Sequence, residues 1–171
     1  MIIINTGDGK GKSTAAIGQI IRYLGHGFKI CLIYLFKKQN CCGEQSILTR
    51  FTNLSIFYFA HQHPYFNNKL QTIDVIAQCH LAMLLLEKLI VSEKIYDVIV
   101  LDEFNIALND KFINEEYFIT IIQLLSKKSD IIITGRGAPK KLLSIADLVT
   151  EMIEKKHPYS SGILAKRGIE F

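Results

Sequence analysis

The run Ile2-Ile3-Ile4 gives way within two residues to Thr6-Gly7-Asp8-Gly9-Lys10-Gly11-Lys12-Ser13-Thr14, and no other stretch restricts the fold as strongly. Three alternating glycines let the backbone adopt conformations that a Cβ would forbid, so successive N–H groups can converge on anionic oxygens. Behind the loop, Ala16, Ile17, Ile20, Ile21 and Leu24 recur at helical spacing, and the positive end of that helix adds to the attraction. The expectation is a phosphate cradle made by Gly7, Asp8, Gly9, Lys10, Gly11, Lys12, Ser13 and Thr14. In it Lys12 neutralises phosphate charge and the Ser13 hydroxyl ligates a magnesium ion that bridges phosphates. The general pattern G-x-x-x-x-G-K-[ST] is met except at its first glycine, where Thr6 stands. The competing reading is a glycine-rich turn that merely connects a strand to a helix.

The rest of the chain repeats the alternation that this junction begins. Apolar segments at residues 2–5, 30–36, 56–59, 98–101, 131–133 and 148–153 read as strands. Helical patterns fill the intervals at 45–51, 70–94, 105–108, 118–125 and 139–146, the longest with Ile73, Ile76, Ala77, Leu81, Leu84, Leu85 and Leu89 on its expected buried face. Such alternation implies right-handed crossovers and a mainly parallel sheet. The predicted fold is an α/β, P-loop NTPase-like (RecA-like) three-layer sandwich, one domain over residues 1–171. With 49% hydrophobic and 21% charged residues, the composition excludes a disordered chain. The net charge of +4 is small and scattered, which suits an anionic nucleotide and not nucleic acid. No stretch of about 20 residues is apolar enough to span a bilayer, the first residues lack a basic leader, and four cysteines without C-x-x-C spacing read as reduced thiols, so a cytoplasmic protein without membrane attachment is expected.

A second set of residues falls at the carboxyl ends of strands, where ligands bind in open α/β sheets. The strand at 98–101 delivers Asp102-Glu103, the acidic pair expected to order magnesium together with Ser13; the plainer reading is a helix cap. The next strand ends in Thr134-Gly135-Arg136-Gly137-Ala138-Pro139, which presents Arg136 to phosphate. Lys37 follows the second strand, either as a site residue or as a solvated lysine. His61, His63, Tyr65 and Phe66 sit in a loop that either lines a pocket for a large flat ligand or packs its rings onto the domain. Cys41-Cys42 beside these histidines resemble metal ligands only weakly, and His80 fits a core or boundary position.

Four blocks resemble the P-loop type ATP:corrinoid adenosyltransferases: residues 6–16 (TGDGKGKSTAA), 100–108 (VLDEFNIAL), 133–152 (ITGRGAPKKLLSIADLVTEM) and 157–171 (HPYSSGILAKRGIEF). With Gly25-His26-Gly27 they span nearly the whole chain, and that family's loop also carries threonine before Gly7. The resemblance implies attack by a corrinoid Co(I), of cobalamin or cob(I)yrinic acid a,c-diamide, on the 5′ carbon of ATP, with release of triphosphate. ATP then lies reversed relative to the usual P-loop orientation. It assigns Lys12, Ser13 and Glu103 to catalysis, Ser13, Asp102 and Glu103 to magnesium, and Arg22 and Arg136 to ATP. Family members often carry an N-terminal extension and a Phe-x-Trp ahead of the long helix; here Met1 abuts the first strand and there is no tryptophan. Pro64-Tyr65-Phe66 occupies the corresponding region, which gives Tyr65 and Phe66 the corrinoid contact. A flavodoxin-like or other flavoprotein reductant and a homodimer are also implied, in adenosylcobalamin biosynthesis or salvage.

Two alternatives share the loop but differ in product: a P-loop ATPase or kinase that transfers the γ-phosphoryl group with Glu103 orienting the acceptor, and a nucleotide-binding module without turnover. A GTPase is disfavoured, because Asn68-Lys69-Leu70-Gln71 lacks the aspartate of an Asn-Lys-x-Asp motif.

Overall fold

Alternate residues of each strand face opposite sides of a sheet, and at its centre both sides are covered, so β2 (Ile30–Leu35) and β4 (Val98–Asp102) are buried along their whole length and read as apolar runs instead of alternating. The computed structural model describes residues 1–66, 71–93, 96–157, 162 and 164–169, without the side chain of Phe66. Six parallel strands form one sheet in the order β3-β2-β4-β5-β1-β6. They are β1 (Ile2–Thr6), β2 (Ile30–Leu35), β3 (Leu54–Phe59), β4 (Val98–Asp102), β5 (Asp130–Thr134) and β6 (Leu148–Glu151). Helices α1 (Lys12–Gly25), α2 (Gly43–Leu48), α3 (Thr72–Val91), α4 (Phe104–Asn109), α5 (Glu115–Leu125) and α6 (Lys140–Ser144) make the crossovers, as the alternation predicts.

Period two sorts the core into two layers. Cys31, Ile33 and Leu35 of β2 with Ile99 and Leu101 of β4 pack under α3, α4 and α5, where Cys79, Leu86, Phe104 and Phe118 are buried. Ile30, Leu32 and Tyr34 with Val98 and Val100 face the opposite layer, against Ala16 and Ile20 of α1 and Leu48 of α2. At the start of α5, Asn114 Oδ1 accepts from the Tyr117 N–H at 2.9 Å, and Glu115 and Glu116 occupy the positive first turn.

The long helix departs from expectation. Its buried side is Val75, Cys79, Ala82, Met83 and Leu86, whereas Ile73 (70% exposed), Leu81 and Leu84, assigned inward from spacing, point outward. The helix is apolar nearly all round, so periodicity does not select a face and only the packed neighbours do. His80 is exposed as well. The helix at 45–51 is shifted to Gly43–Leu48, and residues 67–70 and, within the 157–171 block, 158–161, 163 and 170–171 lie outside the described residues.

Candidate active site

The register brings the carboxyl ends of β1, β2, β4 and β5 into one row, with Tyr34 opposite Asp102 and Asn5 opposite Thr134. The loop after β1 and the first turn of α1 form one wall of a cavity of about 630 Å³, a volume in the range of small-molecule sites. Asp8, Gly9, Lys10, Gly11, Lys12, Ser13 and Thr14 all line it, together with Lys37, Glu103 and Arg136. Gly7 lies just behind, at φ +94°.

The loop is held by strands that are remote in sequence. Gly9 N–H donates to Met152 O at 2.7 Å, and Met152 N–H donates to Thr6 O at 2.8 Å, so the segment leaving β6 forms the floor of the cradle. Thr6, buried at the end of β1, accepts from the Ala138 N–H through its hydroxyl at 3.2 Å. A glycine there would lose that tie to the loop after β5, which gives the departure from the general pattern a structural role. Arg136 Nη2 donates to Asp8 O at 3.3 Å, placing a guanidinium at the rim. Gly135, at φ +129°, packs against α4, where a Cβ would stand 3.0 Å from Asn105 Cβ. Asn105 Nδ2 donates to Gly135 O at 3.1 Å.

Lys12, 8% exposed, curls back so that Nζ donates to Gly9 O at 2.6 Å. Burial first, then the Arg136 charge, lowers its pKa. Such a lysine gains when an anion enters. Asp102, 2% exposed, has both oxygens engaged: Oδ1 accepts from the Thr134 hydroxyl at 2.7 Å and Oδ2 from Lys37 Nζ at 2.5 Å. Lys37 Nζ also donates to Ser13 Oγ at 3.1 Å and stands 5.3 Å from the Tyr34 ring centroid. Burial opposes the charge of Lys37, but the charge and hydrogen bond of Asp102 outweigh it and raise its pKa. Thr134 Oγ1 in turn accepts from the Glu103 N–H at 3.0 Å.

Glu103 sits at φ +67°, ahead of α4, and its Oε2 is buried with no hydrogen-bond partner among the described residues. Burial, then the adjacent Asp102 charge, pushes its carboxyl up to about 7. An acid raised in the folded state keeps its proton where the unfolded chain has lost it, so stability falls as pH rises from about 4.5 to 7. Glu103→Gln should therefore stabilise the ligand-free protein by about 2 kcal/mol at pH 8 and by nothing measurable at pH 4. Urea unfolding at the two pH values measures this; an equal effect at both contradicts it. Thr134→Val strands the Glu103 N–H and removes a donor from Asp102, with an expected loss of about 2 kcal/mol in the same assay.

Comparison with known proteins settles the family. The family model for ATP:corrinoid adenosyltransferase BtuR/CobO/CobP matches residues 1–171. The chain belongs to the ATP:corrinoid adenosyltransferase family. A corrinoid adenosyltransferase of Sinorhizobium sp. is 35% identical over 176 residues, covering 100% of this chain and 80% of that protein. The Pseudomonas aeruginosa corrinoid adenosyltransferase is 31% identical over 171 residues, covering 100% and 83%. Corrinoid adenosyltransferase CobA of Salmonella typhimurium is 29% identical, covering 100% and 85%. In fold, the chain resembles the flagellar accessory protein FlaH of Methanocaldococcus jannaschii, with a TM-score of 0.58 at 15% identity over 88% of this chain and 69% of that one.

In this adenosyltransferase the residues of the predicted cradle other than Gly7 meet in one cavity, and Arg136 joins them. Arg22 does not: it is exposed in the last turn of α1, ten residues or about 15 Å along the helix from Lys12. Tyr65 is 81% exposed in a 3-10 helix, Pro64–Phe66, and is absent from the cavity wall; the Phe66 side chain lies outside the described residues. In the same loop His63 takes the packing alternative, its ring 5.0 Å from Phe36 and 5.5 Å from Phe112, with Nε2 2.9 Å from Asp110 Oδ2. From sequence alone Lys37 reads either way and Thr134 carries no mark. A lysine directly after a buried strand was the available signal for the first; nothing local marked the second.

Proposed function

We propose that the adenosyltransferase moves the 5′-deoxyadenosyl group of ATP to the Co(I) centre of a corrinoid, cobalamin or cob(I)yrinic acid a,c-diamide, and releases triphosphate. The observation that carries this reading is a cavity built for polyanions whose described wall holds no activated protein nucleophile. Ser13 Oγ faces the ammonium of Lys37 and not a base. The Cys42 thiol, also on the wall, is pushed up to about 12 by burial and then by its hydrogen bond with Cys41, so it is protonated at neutral pH. A reaction in such a site must bring its nucleophile with the substrate. The cobalt electron pair forms the cobalt–carbon bond, the bond from the 5′ carbon to oxygen breaks, and triphosphate leaves with the electrons of that carbon–oxygen bond. Lys12, the loop N–H groups and Arg136 are placed to take up the charge gathering on the leaving oxygens.

Ser13, Asp102 and Glu103 suit a magnesium ion arriving with ATP. Asp102 and the unpartnered Glu103 Oε2 supply hard oxygen donors. No group of three or more His, Cys, Asp or Glu side chains poised for a metal occurs among the described residues, which fits an ion that retains water and phosphate oxygens as ligands. When bound, magnesium neutralises charge on the phosphate oxygens. Asp102 is held for that duty by Thr134, and Ser13 by the first turn of α1.

The resemblance of the four blocks, not the geometry, supports the remaining parts of the reading: a single domain over residues 1–171, a homodimer, a flavodoxin-like or other flavoprotein reductant, a cytoplasmic location, and a place in adenosylcobalamin biosynthesis or salvage. Anaerobic incubation with ATP, a strong chemical reductant and cobalamin or cobinamide should give an adenosylated corrinoid and one triphosphate per turnover. ADP and phosphate as the main products would instead point to γ-phosphoryl transfer.

A further inference from the structure

Three groups from three elements converge at the edge of the cavity, Ser13 and Lys37 on its wall and Asp102 buried behind them: Ser13 Oγ at the start of α1, Asp102 Oδ2 at the end of β4, and Lys37 Nζ from the loop after β2. We propose that Lys37 is the built-in counter-cation of this enzyme, bridging Ser13 and Asp102 when no ligand is bound and yielding its place to the divalent cation that accompanies the nucleotide. The inference rests on the reading of Ser13 and Asp102 as cation ligands and adds a role for a residue outside that set.

Competition for the same atoms is the basis. Asp102 is 2% exposed, and its Oδ1 is occupied by Thr134, so Oδ2 is the oxygen that remains for a cation. Lys37 holds that oxygen at 2.5 Å and Ser13 Oγ at 3.1 Å. An ammonium and a divalent ion cannot both sit against this oxygen and hydroxyl, because they repel at contact distance and the donor atoms are the same. Lysine suits the exchange better than arginine, being a compact charge on a flexible stem. The departing ammonium has somewhere to go, since Lys37 also lines the cavity that receives the phosphates. The backbone is set for the bridge: Phe36 at φ +58° turns the chain after β2, and Lys37 comes to lie over the Tyr34 ring, opposite Asp102 in the sheet.

The benefit is conditional metal binding. With the ammonium in place a buried carboxylate is paired at all times, and a cation without nucleotide must displace a resident charge that has no phosphate to move to. With nucleotide present the ammonium gains a new partner, so metal and ATP favour each other's binding reciprocally.

Manganese(II) titrated into the full chain without nucleotide, read by the loss of free-ion electron paramagnetic resonance signal, tests this. Lys37→Met should bind Mn²⁺ at least tenfold more tightly than the unmodified enzyme, and adding Asp102→Asn should cancel the gain. Equal or weaker Mn²⁺ binding by Lys37→Met overturns the proposal. If Mn²⁺ binding in the presence of ATP is lost on Asp102→Asn while Lys37→Met gains nothing, the cation-site reading stands and only the role of Lys37 falls. If that binding survives both Ser13→Ala and Asp102→Asn, the cation-site reading fails and takes the proposal with it. Should Lys37→Met fail to fold, reductive methylation of the unmodified enzyme decides: peptide-resolved labelling of Lys37 should rise several-fold with saturating Mg²⁺ alone, and constant labelling overturns the proposal.

Discussion

Alanine at position 12 should leave a folded enzyme that adenosylates corrinoid at least two orders of magnitude more slowly, the loss typical of removing one donor that stabilises a leaving oxyanion. Lys12 is buried, its ammonium rests on Gly9 O at 2.6 Å, and burial and then Arg136 disfavour its charge in the absence of ligand. The site is thus electrostatically unsatisfied until polyphosphate enters. If Lys12 acts mainly on charge that develops as triphosphate departs, kcat and kcat/KM fall together; if it acts only in binding, KM rises and kcat holds. Steady-state kinetics with chemically reduced corrinoid separate the two. Retention of more than about a tenth of wild-type kcat/KM would contradict the assignment. Arginine is not expected to rescue, since its planar fork does not fit the tight return to Gly9 O.

Gly7→Ala should cost about 3 kcal/mol of stability and weaken ATP binding at least tenfold, two effects with one origin. At φ +94° any Cβ is strained, and here it would also press on the Met152 carbonyl oxygen and come within 2.8 Å of Met152 N. Both are backbone atoms of the segment leaving β6, so neither can swing aside. Either the loop lifts off its floor or that segment leaves β1. Urea unfolding and ATP titration measure the two parts. Gly18→Ala is the control: it lies in α1 with nothing within 4 Å of the added carbon, and should be neutral or stabilising by up to about 1 kcal/mol. Equal losses from the two substitutions would show that the loop contact carries no weight.

What the sequence reveals of this site depends on whether the relevant residues are neighbours in the chain. The cradle residues are contiguous, and Asp102-Glu103 ends an unmistakable apolar run, so both can be read directly. Lys37 and Thr134 acquire meaning only because β2 and β5 flank β4, an order that no local pattern encodes. Arg22 illustrates the converse: the family resemblance assigns it to ATP, yet it stands ten helical residues beyond Lys12. The outward face of α3 has a third cause, a helix whose apolar residues surround its axis.

β1 is seated between the last two strands of the sequence, β5 and β6. It pairs with β5 and β6, so both of its ladder partners lie far downstream of it in the chain. A ribosome-bound chain that has emerged only through β4 holds the cradle sequence in full but lacks the two strands that flank β1 and the Met152 carbonyl beneath Gly9. Nucleotide affinity therefore arrives late in synthesis, and chains truncated ahead of β6 should be degradation substrates that no concentration of ATP protects.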